Sequence, residues 1–244
     1  MPTLEPLERL TISSQKLAAS FPPVLRDPNK RLVHSIACPE GCIHSGEIAY
    51  SRWGAFPLPA TADLAAAAAG AEGRPDFYHY EPVPGFKAGL EWHVNFADPH
   101  LFVAYSGPLF AQDEMQVAEH PVLASLREAL QAKRMKLLTV EDGRPTPVLV
   151  AGAERRCRVR TDPNPAEGRL HGLYGNAFAR ASRDAVRRAT VPIDPPTVTS
   201  LVAIAAPSGG YGKYTGEQVE HILVTAFSGF SAARLETERL KGPG

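Results

Sequence analysis

The sequence predicts an α/β protein whose sheet is mainly parallel and covered by helices. Patterns typical of strands alternate with patterns typical of helices, which favours parallel strands joined by helical crossovers. The apolar run at residues 199–205 is continuous, as in a strand buried on both faces. A long amphipathic segment begins after Thr215, where the Thr215 and Gln218 side chains form a capping box.

Composition and charge limit the class of protein and its partners. The chain has 244 residues, of which 44% are hydrophobic and 21% charged, as in an ordinary globular domain. Lysine plus arginine equals aspartate plus glutamate, at 26 each, so we expect no direct DNA binding and no membrane partner. Three cysteines, with neither a signal peptide nor a long apolar run, predict a soluble cytoplasmic protein.

The first 85 residues are rich in proline and glycine, and their elements are short. Strands are predicted at residues 32–37 and 47–53. An alanine-dominated stretch at residues 60–73 predicts a helix, because alanine is the best helix former and Thr61 can cap it. Apolar and polar residues then alternate over residues 90–96, which predicts a further strand.

The central region predicts two helices in succession. Residues 112–119 form a short helix that ends before Pro121, since the residue before a proline avoids the helical region. Pro121 then opens a second helix, because proline suits the first turn. Its predicted apolar face contains Leu123, Leu126 and Leu130.

The C-terminal region continues the alternation of strands and helices. Strands are predicted at residues 137–140, 147–151 and 199–205, and a helix at residues 175–188. The final helix has apolar residues at spacings of three and four, which predicts one buried face. That predicted face consists of Val219, Ile222, Leu223, Ala226, Phe227 and Phe230.

Two segments that follow predicted strands are candidates for binding a nucleotide-like ligand, because ligands bind at the carboxyl ends of such strands. The first is the acidic segment Gln112-Asp113-Glu114, although acids in a first helical turn also simply offset the helix dipole. The second is a glycine-rich loop, whose amides and following helix suit a phosphate. It matches neither the P-loop nor the dinucleotide fingerprint, and a plain tight turn also explains it. The loop contains Ser208, Gly209, Gly210, Tyr211 and Gly212.

A third cluster offers metal-ligating side chains. Cys38, Cys42 and His44 lie within seven residues of one another. Zinc sites need about four such ligands, so a pair of partly buried structural cysteines explains the pattern with fewer assumptions. We therefore predict no metal and no cofactor, with metal binding at these three residues as the alternative.

The spacing of these motifs resembles the poly(ADP-ribose) glycohydrolase branch of the macrodomain superfamily. In that family a strand ending in Phe-Ala-Asn leads through a glycine-rich loop to Gln-Glu-Glu, with a proline further along. Here Phe96-Ala97-Asp98, Gln112-Asp113-Glu114 and Pro121 stand at matching intervals. Residues 149–154, 173–178 and 208–213 resemble further family segments, so the similarity extends over residues 90–233.

The resemblance implies a fold and an activity. The fold would be a macrodomain-like three-layer α/β/α sandwich with a mixed, mainly parallel sheet. Residues 86–244 would form the ADP-ribose-binding core, and residues 1–85 an N-terminal elaboration packed on the same domain. The activity would be hydrolysis of O-glycosidic linkages in poly(ADP-ribose) or ADP-ribosylated protein. Glu114 would be the single acid/base, protonating the leaving oxygen and then activating water.

The resemblance also implies which residues hold the ligand. Asp113 would bind ribose hydroxyls beside the catalytic Glu114, and Tyr174 or Phe178 would pack on the ligand. The amides of the glycine-rich loop would hold the diphosphate. The complete implied ligand-binding set is Gln112, Asp98, Asn95, Tyr174, Phe178, Ser208, Gly209, Gly210, Tyr211 and Gly212.

Two departures from the family pattern leave alternatives open. Asp113 stands where the family has glutamate, one methylene longer. Residues 101–104 (Leu-Phe-Val-Ala) replace the family's run of glycines, and side chains there would hold a phosphate away from the backbone. The alternatives are a non-catalytic ADP-ribose-binding module, or a degenerate macrodomain that serves as a protein-interaction or metal-stabilised unit.

Overall fold

The computed structural model describes residues 5–63, 65, 71, 73, 90–207 and 212–241. Within them a five-stranded sheet has the order β1-β2-β6-β7-β3, and β4 and β5 form a separate hairpin. The strands are β1 (Glu8–Ser13), β2 (Glu47–Arg52), β3 (Trp92–Phe96), β4 (Val140–Glu141), β5 (Arg144–Pro145), β6 (Val148–Val159) and β7 (Thr190–Ile204).

The helices of the described residues follow the capping signals of the sequence. Asp27 caps one, accepting hydrogen bonds from the backbone N–H groups of Asn29 and Lys30, and Ser182 caps another. The α-helices are α1 (Ser14–Ser20), α2 (Pro28–Ala37), α3 (Gln112–Glu119), α4 (Val122–Ala132), α5 (Ala177–Arg180), α6 (Arg183–Ala189) and α7 (Gly216–Lys241), and Pro165–Glu167 forms a short 3₁₀ helix.

The sheet is mixed, but the prediction that it is mainly parallel is wrong. The pairs β1–β2, β2–β6 and β6–β7 are antiparallel, and in the described part of the chain only β3–β7 is parallel. The main reason is the long antiparallel pairing of β6 with β7. The two strands pair over most of their length, although residues 160–189, with one 3₁₀ helix and two short α-helices, lie between them in sequence.

The parallel pair places two strand ends at one edge of the sheet. Trp92 pairs with Ser200 at the start of the register, and Phe96 pairs with Ile204 at its end. The Ala97 N–H continues the ladder by donating to the Ile204 carbonyl at 3.0 Å. The chain segments that follow β3 and β7 therefore both begin at this edge.

Alternate residues of the central strands point into two different cores. Val148, Val150 and Leu201 join a cluster on one face, together with Leu123 and Leu126 of α4. On the other face, Leu149 and Val202 pack with Trp53, Phe56 and two alanines of α7. Helices thus cover both faces of the sheet, and the predicted burial of Leu123, Leu126 and Leu130 is confirmed.

The strand predicted at residues 32–37 is wrong, since these residues lie in α2. The apolar residues Leu32, Val33, Ile36 and Ala37 recur at spacings that keep them on one side of a helix. Asp27 and Pro28 provide an N-cap and a proline at the first position, which together start a helix. α2 packs in a third cluster around Phe110, Cys157 and Phe178.

Other predicted elements differ in length. The predicted helix over residues 175–188 is two short helices, α5 and α6, since the backbone between them is extended at Ala181 and Ser182. The strand predicted at residues 137–140 contracts to the two-residue β4, whereas those predicted at 147–151 and 199–205 are confirmed within longer strands. The helix predicted over residues 60–73 lies largely outside the described residues.

The last helix has its predicted capping box but not its predicted buried face. Thr215 and Gln218 exchange hydrogen bonds of 2.9 and 3.2 Å between side chain and backbone. The apolar residues Val219, Leu223, Phe227 and Phe230 are nevertheless exposed. The residues of α7 that are buried are Thr225, Ser228, Gly229, Ala232, Ala233 and Glu236.

Among the described residues, no helix combines the length and the apolar character that crossing a bilayer requires.

Candidate functional site

The acidic segment lies at the sheet edge where β3 and β7 end. α3 begins at Gln112 and packs against β3, so the first turn of the helix lies beside the ends of the parallel pair. An apolar cavity of about 310 Å³ opens at the same edge, between the strand ends and α7. Its lining consists of Phe96, Ala97, Ile204, Ala206, Ile222, Thr225 and Ala226.

Gln112 closes the outer edge of β3. Its side-chain oxygen accepts from the Phe96 N–H at 2.9 Å, and its side-chain nitrogen donates to the Val94 carbonyl at 2.8 Å. The amide therefore pairs with β3 as the backbone of a neighbouring strand would. These contacts give buried Gln112 a positioning role, because they fix α3 against the strand.

Asp113 belongs to a buried polar network centred on Asn95. The Asn95 side-chain nitrogen donates to Asp113 Oδ1 at 3.0 Å and to Gln116 Oε1 at 2.8 Å. All three side chains are buried. Asn95 is buried in β3 although it is polar, and its apolar neighbour Phe96 is exposed.

The surroundings of Asp113 favour its protonated form. Burial raises the pKa of Asp113 to about 7, and although the hydrogen bond from Asn95 opposes this rise, the Glu114 charge adds to it. A carboxyl with this pKa exchanges its proton near neutral pH, which is the condition for acid–base work.

Glu114 is buried at the same helix start and caps the helix. Its Oε2 accepts from the backbone N–H of Ala111, the residue before the first turn, at 2.8 Å. This is the acidic half of a capping box, and Ala111 supplies no side-chain acceptor in return. The contact uses one of the two carboxylate oxygens of Glu114.

Lys30, which the sequence patterns did not single out, is near enough to the acids for their charges to act on its ammonium group. Its Nζ donates to the Ala104 carbonyl at 3.0 Å, and the side chain is buried. Burial lowers the pKa of Lys30 to about 8, against the opposing charges of Glu114, Asp27 and Asp113. The Asp27-Pro28 start signal places a helix here, but only the packing of α2 brings Lys30 to α3.

The loop at residues 101–104 turns its largest side chains inward. Leu101 and Phe102 are fully buried in the core with Leu123 and Leu126 of α4. Phe102 has a φ of +53°, a left-handed conformation that glycine adopts far more readily. The side chains of Leu101 and Phe102 therefore point into the core, whereas Val103 is exposed.

The remaining predicted ligand residues near this edge differ in their surroundings. Asp98 is half exposed and accepts from the His100 N–H at 2.9 Å, at the start of the same loop. Gly212 has a φ of +81°, as expected for a glycine-dependent turn. Ser208, Gly209, Gly210 and Tyr211 lie outside the described residues.

The two aromatic candidates fall in different environments. Tyr174 is 47% exposed. It lies near the start of α3, because the N–H of its neighbour Gly175 donates to the Phe110 carbonyl at 2.9 Å. Phe178, in contrast, is fully buried and stacks on Phe110 with ring centroids 3.9 Å apart. The structure corrects the prediction for Phe178, whose ring is part of the core.

Two other features lie away from this edge. A cavity of about 570 Å³ lies between α7 and the β4–β5 hairpin, and its carboxylates Glu217 and Glu220 are exposed. Cys38, Cys42 and His44 come together in the loop between α2 and β2. Neither feature contains a buried pair of carboxyl groups of the kind found at α3.

No protein-family model matches the chain, and a comparison with curated protein sequences gives no match either.

Proposed function

We propose that this protein binds ADP-ribose at the shared edge of β3 and β7 and hydrolyses its O-glycosidic linkage to a protein or to a further ADP-ribose. One observation carries the proposal. Asp113 and Glu114 are adjacent carboxyl groups, both buried, on the first turn of α3 beside the ends of the two parallel strands. In sheets with parallel strands this edge is the usual place for ligands.

Hydrolysis of a glycosidic bond requires a proton donor at the leaving oxygen and then a base for water. Glu114 would give its proton to the leaving oxygen as the bond to the ribose C1 breaks. The same carboxylate would then take a proton from the water that adds to C1. Asp113, whose pKa burial raises to about 7, would hold a proton beside Glu114 near neutral pH and bind ribose hydroxyls.

The surroundings of the acids suit a nucleotide diphosphate. The apolar cavity next to Phe96 offers space for a flat apolar group, and exposed Tyr174 near the start of α3 offers an aromatic surface. Lys30 supplies a positive charge beside the acids. The loop after β7, of which Gly212 is described, would provide backbone amides for the phosphates.

The test is calorimetric titration with ADP-ribose, followed by a hydrolysis assay on ADP-ribosylated protein, for the wild type and Glu114→Gln. Glutamine can still accept from the Ala111 N–H, so the helix cap is preserved. We expect a dissociation constant near 1 µM, about −8 kcal/mol, in both proteins. Turnover should fall by about 10²- to 10⁴-fold in Glu114→Gln.

Glu238→Gln is the matched control, because Glu238 is exposed on α7 and pairs only with Arg234 in the described contacts. It should leave both binding and turnover at wild-type values. Full activity in Glu114→Gln would overturn the catalytic role of Glu114. Absence of heat at millimolar ADP-ribose would overturn the binding site itself.

A non-catalytic ADP-ribose-binding module is the second candidate. The observation that favours it is the Glu114–Ala111 contact of 2.8 Å, which gives the carboxylate a structural function in capping α3. This candidate predicts saturable binding of ADP-ribose by the wild type with no released product. The hydrolysis assay above therefore separates the two.

A further inference from the structure

A second polar cluster lies in the loop between α2 and β2, and the proposed function does not use it. Cys38 ends α2, Cys42 follows a turn in which its N–H donates to the Pro39 carbonyl at 3.0 Å, and His44 is buried just before β2. The two sulfurs and one ring nitrogen lie within 4.8 Å of one another. Both cysteines are free thiols.

The distances in this cluster match those of metal coordination. His44 Nε2 lies 3.7 Å from the Cys38 sulfur and 4.0 Å from the Cys42 sulfur. A tetrahedral zinc ion with bonds of about 2.3 Å to sulfur and about 2.0 Å to nitrogen separates those two ligand atoms by about 3.5 Å. The three side chains therefore already converge on a point that a zinc ion would fill with small adjustments.

Glu154 of β6 orients the imidazole for this purpose. Its Oε2 lies 3.1 Å from His44 Nδ1, and Arg156 forms an ion pair of 2.8 Å with the same carboxylate. Because an ionised carboxylate only accepts hydrogen bonds, Nδ1 carries the proton and Nε2 presents its lone pair to the two sulfurs. A carboxylate behind a ligating histidine is a recurrent feature of zinc sites.

The loop is anchored so that the three ligands stay together. The Ser45 N–H and hydroxyl both donate to Glu154 Oε1, at 3.0 and 2.5 Å, and the His44 N–H donates to Gln15 Oε1 at 2.8 Å. Contacts to α1 and β6 thus flank His44 on both sides. Two cysteines that only packed in the core would not need these hydrogen bonds that hold the His44 ring in place.

A cavity of about 270 Å³ adjoins the three candidate ligands. Cys38, Cys42, His44 and His34 line this cavity together with residues of α1. Cys157 does not complete the site, since its sulfur points to the Ala118 carbonyl at 3.8 Å within the core. Three protein ligands and an open position leave room for a water molecule.

We propose that Cys38, Cys42 and His44 bind one Zn²⁺ ion, with a water molecule from the adjacent cavity as fourth ligand and Glu154 positioning His44. Two thiolates are soft donors and an imidazole is a borderline one, a set that suits zinc, whereas magnesium and calcium prefer oxygen ligands. The ion would join the end of α2 to the start of β2. This inference does not depend on ADP-ribose chemistry.

The experiment is a zinc determination on the full chain, purified with a reductant, loaded with Zn²⁺ and desalted. We expect about one zinc per chain in the wild type and loss of zinc in Cys38→Ser, Cys42→Ser and His44→Asn. Cys157→Ala and His100→Gln, which change a thiol and an imidazole elsewhere, should keep the ion. Glu154→Gln should weaken zinc binding by about 10- to 100-fold in competition with a chromophoric chelator.

Alkylation of the thiols tests the same site without any substitution. Zinc should slow modification of Cys38 and Cys42 in the folded wild type, and it should leave the rate at Cys157 unchanged. The proposal is overturned if the reduced wild type retains no zinc, or if a Cys38→Ser and Cys42→Ser double variant retains as much as the wild type. Equal alkylation rates with and without zinc would also overturn it.

Discussion

Helix α3 buries polar residues, whereas helix α7 exposes large apolar residues. α3 is rich in polar residues, yet Gln112, Asp113, Glu114, Gln116 and Glu119 are all buried. α7 has a stripe of large apolar residues, yet Val219, Leu223, Phe227 and Phe230 are exposed. The comparison teaches that residue type alone does not determine which face of a helix lies against the sheet.

The polar residues of α3 are buried because each finds a partner. Gln112 pairs with the backbone of β3, Asp113 bonds Asn95, and Glu119 forms an ion pair of 2.9 Å with Arg155. Glu119 also accepts from the Val159 N–H at 2.7 Å. Buried polar groups are tolerated when they are hydrogen-bonded, and such networks fix the position of the helix.

α7 is held on the sheet by its small residues. A Cβ added at Gly229 would lie 2.8 Å from the Ile204 side chain and 3.3 Å from Val202, so the helix approaches β7 very closely there. Ser228 accepts from the Phe56 N–H at 2.8 Å on the same side. The face of large residues then points away from the sheet.

The largest expected effect comes from the buried ion pair between α3 and β6. Glu119→Gln keeps the shape of the side chain but removes the charge opposite Arg155, and both residues are almost fully buried. We expect a loss of about 3–5 kcal/mol in the free energy of unfolding. Urea denaturation of the variant and the wild type measures it.

The matched control is Arg234→Met on α7, where Arg234 and Glu238 form an exposed pair. Its removal should cost less than about 1 kcal/mol. Equal losses of unfolding free energy in Glu119→Gln and Arg234→Met would contradict the difference between the buried ion pair of α3 and the exposed ion pair of α7.

The second effect is a pH dependence at Asp113. The pKa of Asp113 is raised from 3.8 to about 7 by burial in the folded protein. The folded state therefore binds more protons than the unfolded state between these pH values. Relative to Asp113→Asn, the wild type should lose stability as the pH rises from about 4 to about 7, by at most about 1.4 kcal/mol per pH unit.

Denaturation of both proteins at several pH values checks this, because the titrations of groups that do not interact with Asp113 cancel in the difference. A wild type that gains stability relative to Asp113→Asn over this range would mean that the Asp113 pKa is lowered on folding. The buried network of α3 would then stabilise the charged carboxylate.

The smallest effect is expected on the exposed stripe of α7. Leu223→Gln should change the free energy of unfolding by no more than about 0.5 kcal/mol, because Leu223 is 53% exposed. On the side of α7 that faces the sheet, Gly229→Ala should destabilise by about 1–3 kcal/mol, since the new methyl group meets Ile204. A loss above 2 kcal/mol in Leu223→Gln would show that the stripe is covered in the folded protein.

Local signals in the sequence were sufficient for several elements. The α3 bounds, the apolar face of α4 and the capping box of α7 follow from proline positions, periodicity and side-chain caps. These interactions involve neighbours in sequence, so their physical cause is contained in the segment itself. The same holds for the position of the acidic segment at the start of a helix.

The strand predicted at residues 32–37 was wrong, because these residues lie in helix α2. Its apolar residues were interpreted as a strand, although Asp27 and Pro28 already carry a helix-start signal. The sheet direction was also wrong, because the antiparallel pairing of β6 and β7 joins strands that 30 residues separate in sequence. Pairing between distant segments leaves no mark in either segment alone.

In the candidate site, the sequence by itself determined the acids, the strand that precedes them and the cysteine–histidine cluster. Only the tertiary structure decided that the Lys30 charge interacts with Asp113 and Glu114, that Phe178 belongs to the core, and that Glu154 contacts the ring of His44. The physical reason is that burial and pKa depend on groups that are remote in sequence. Those groups meet only when the helices and strands pack.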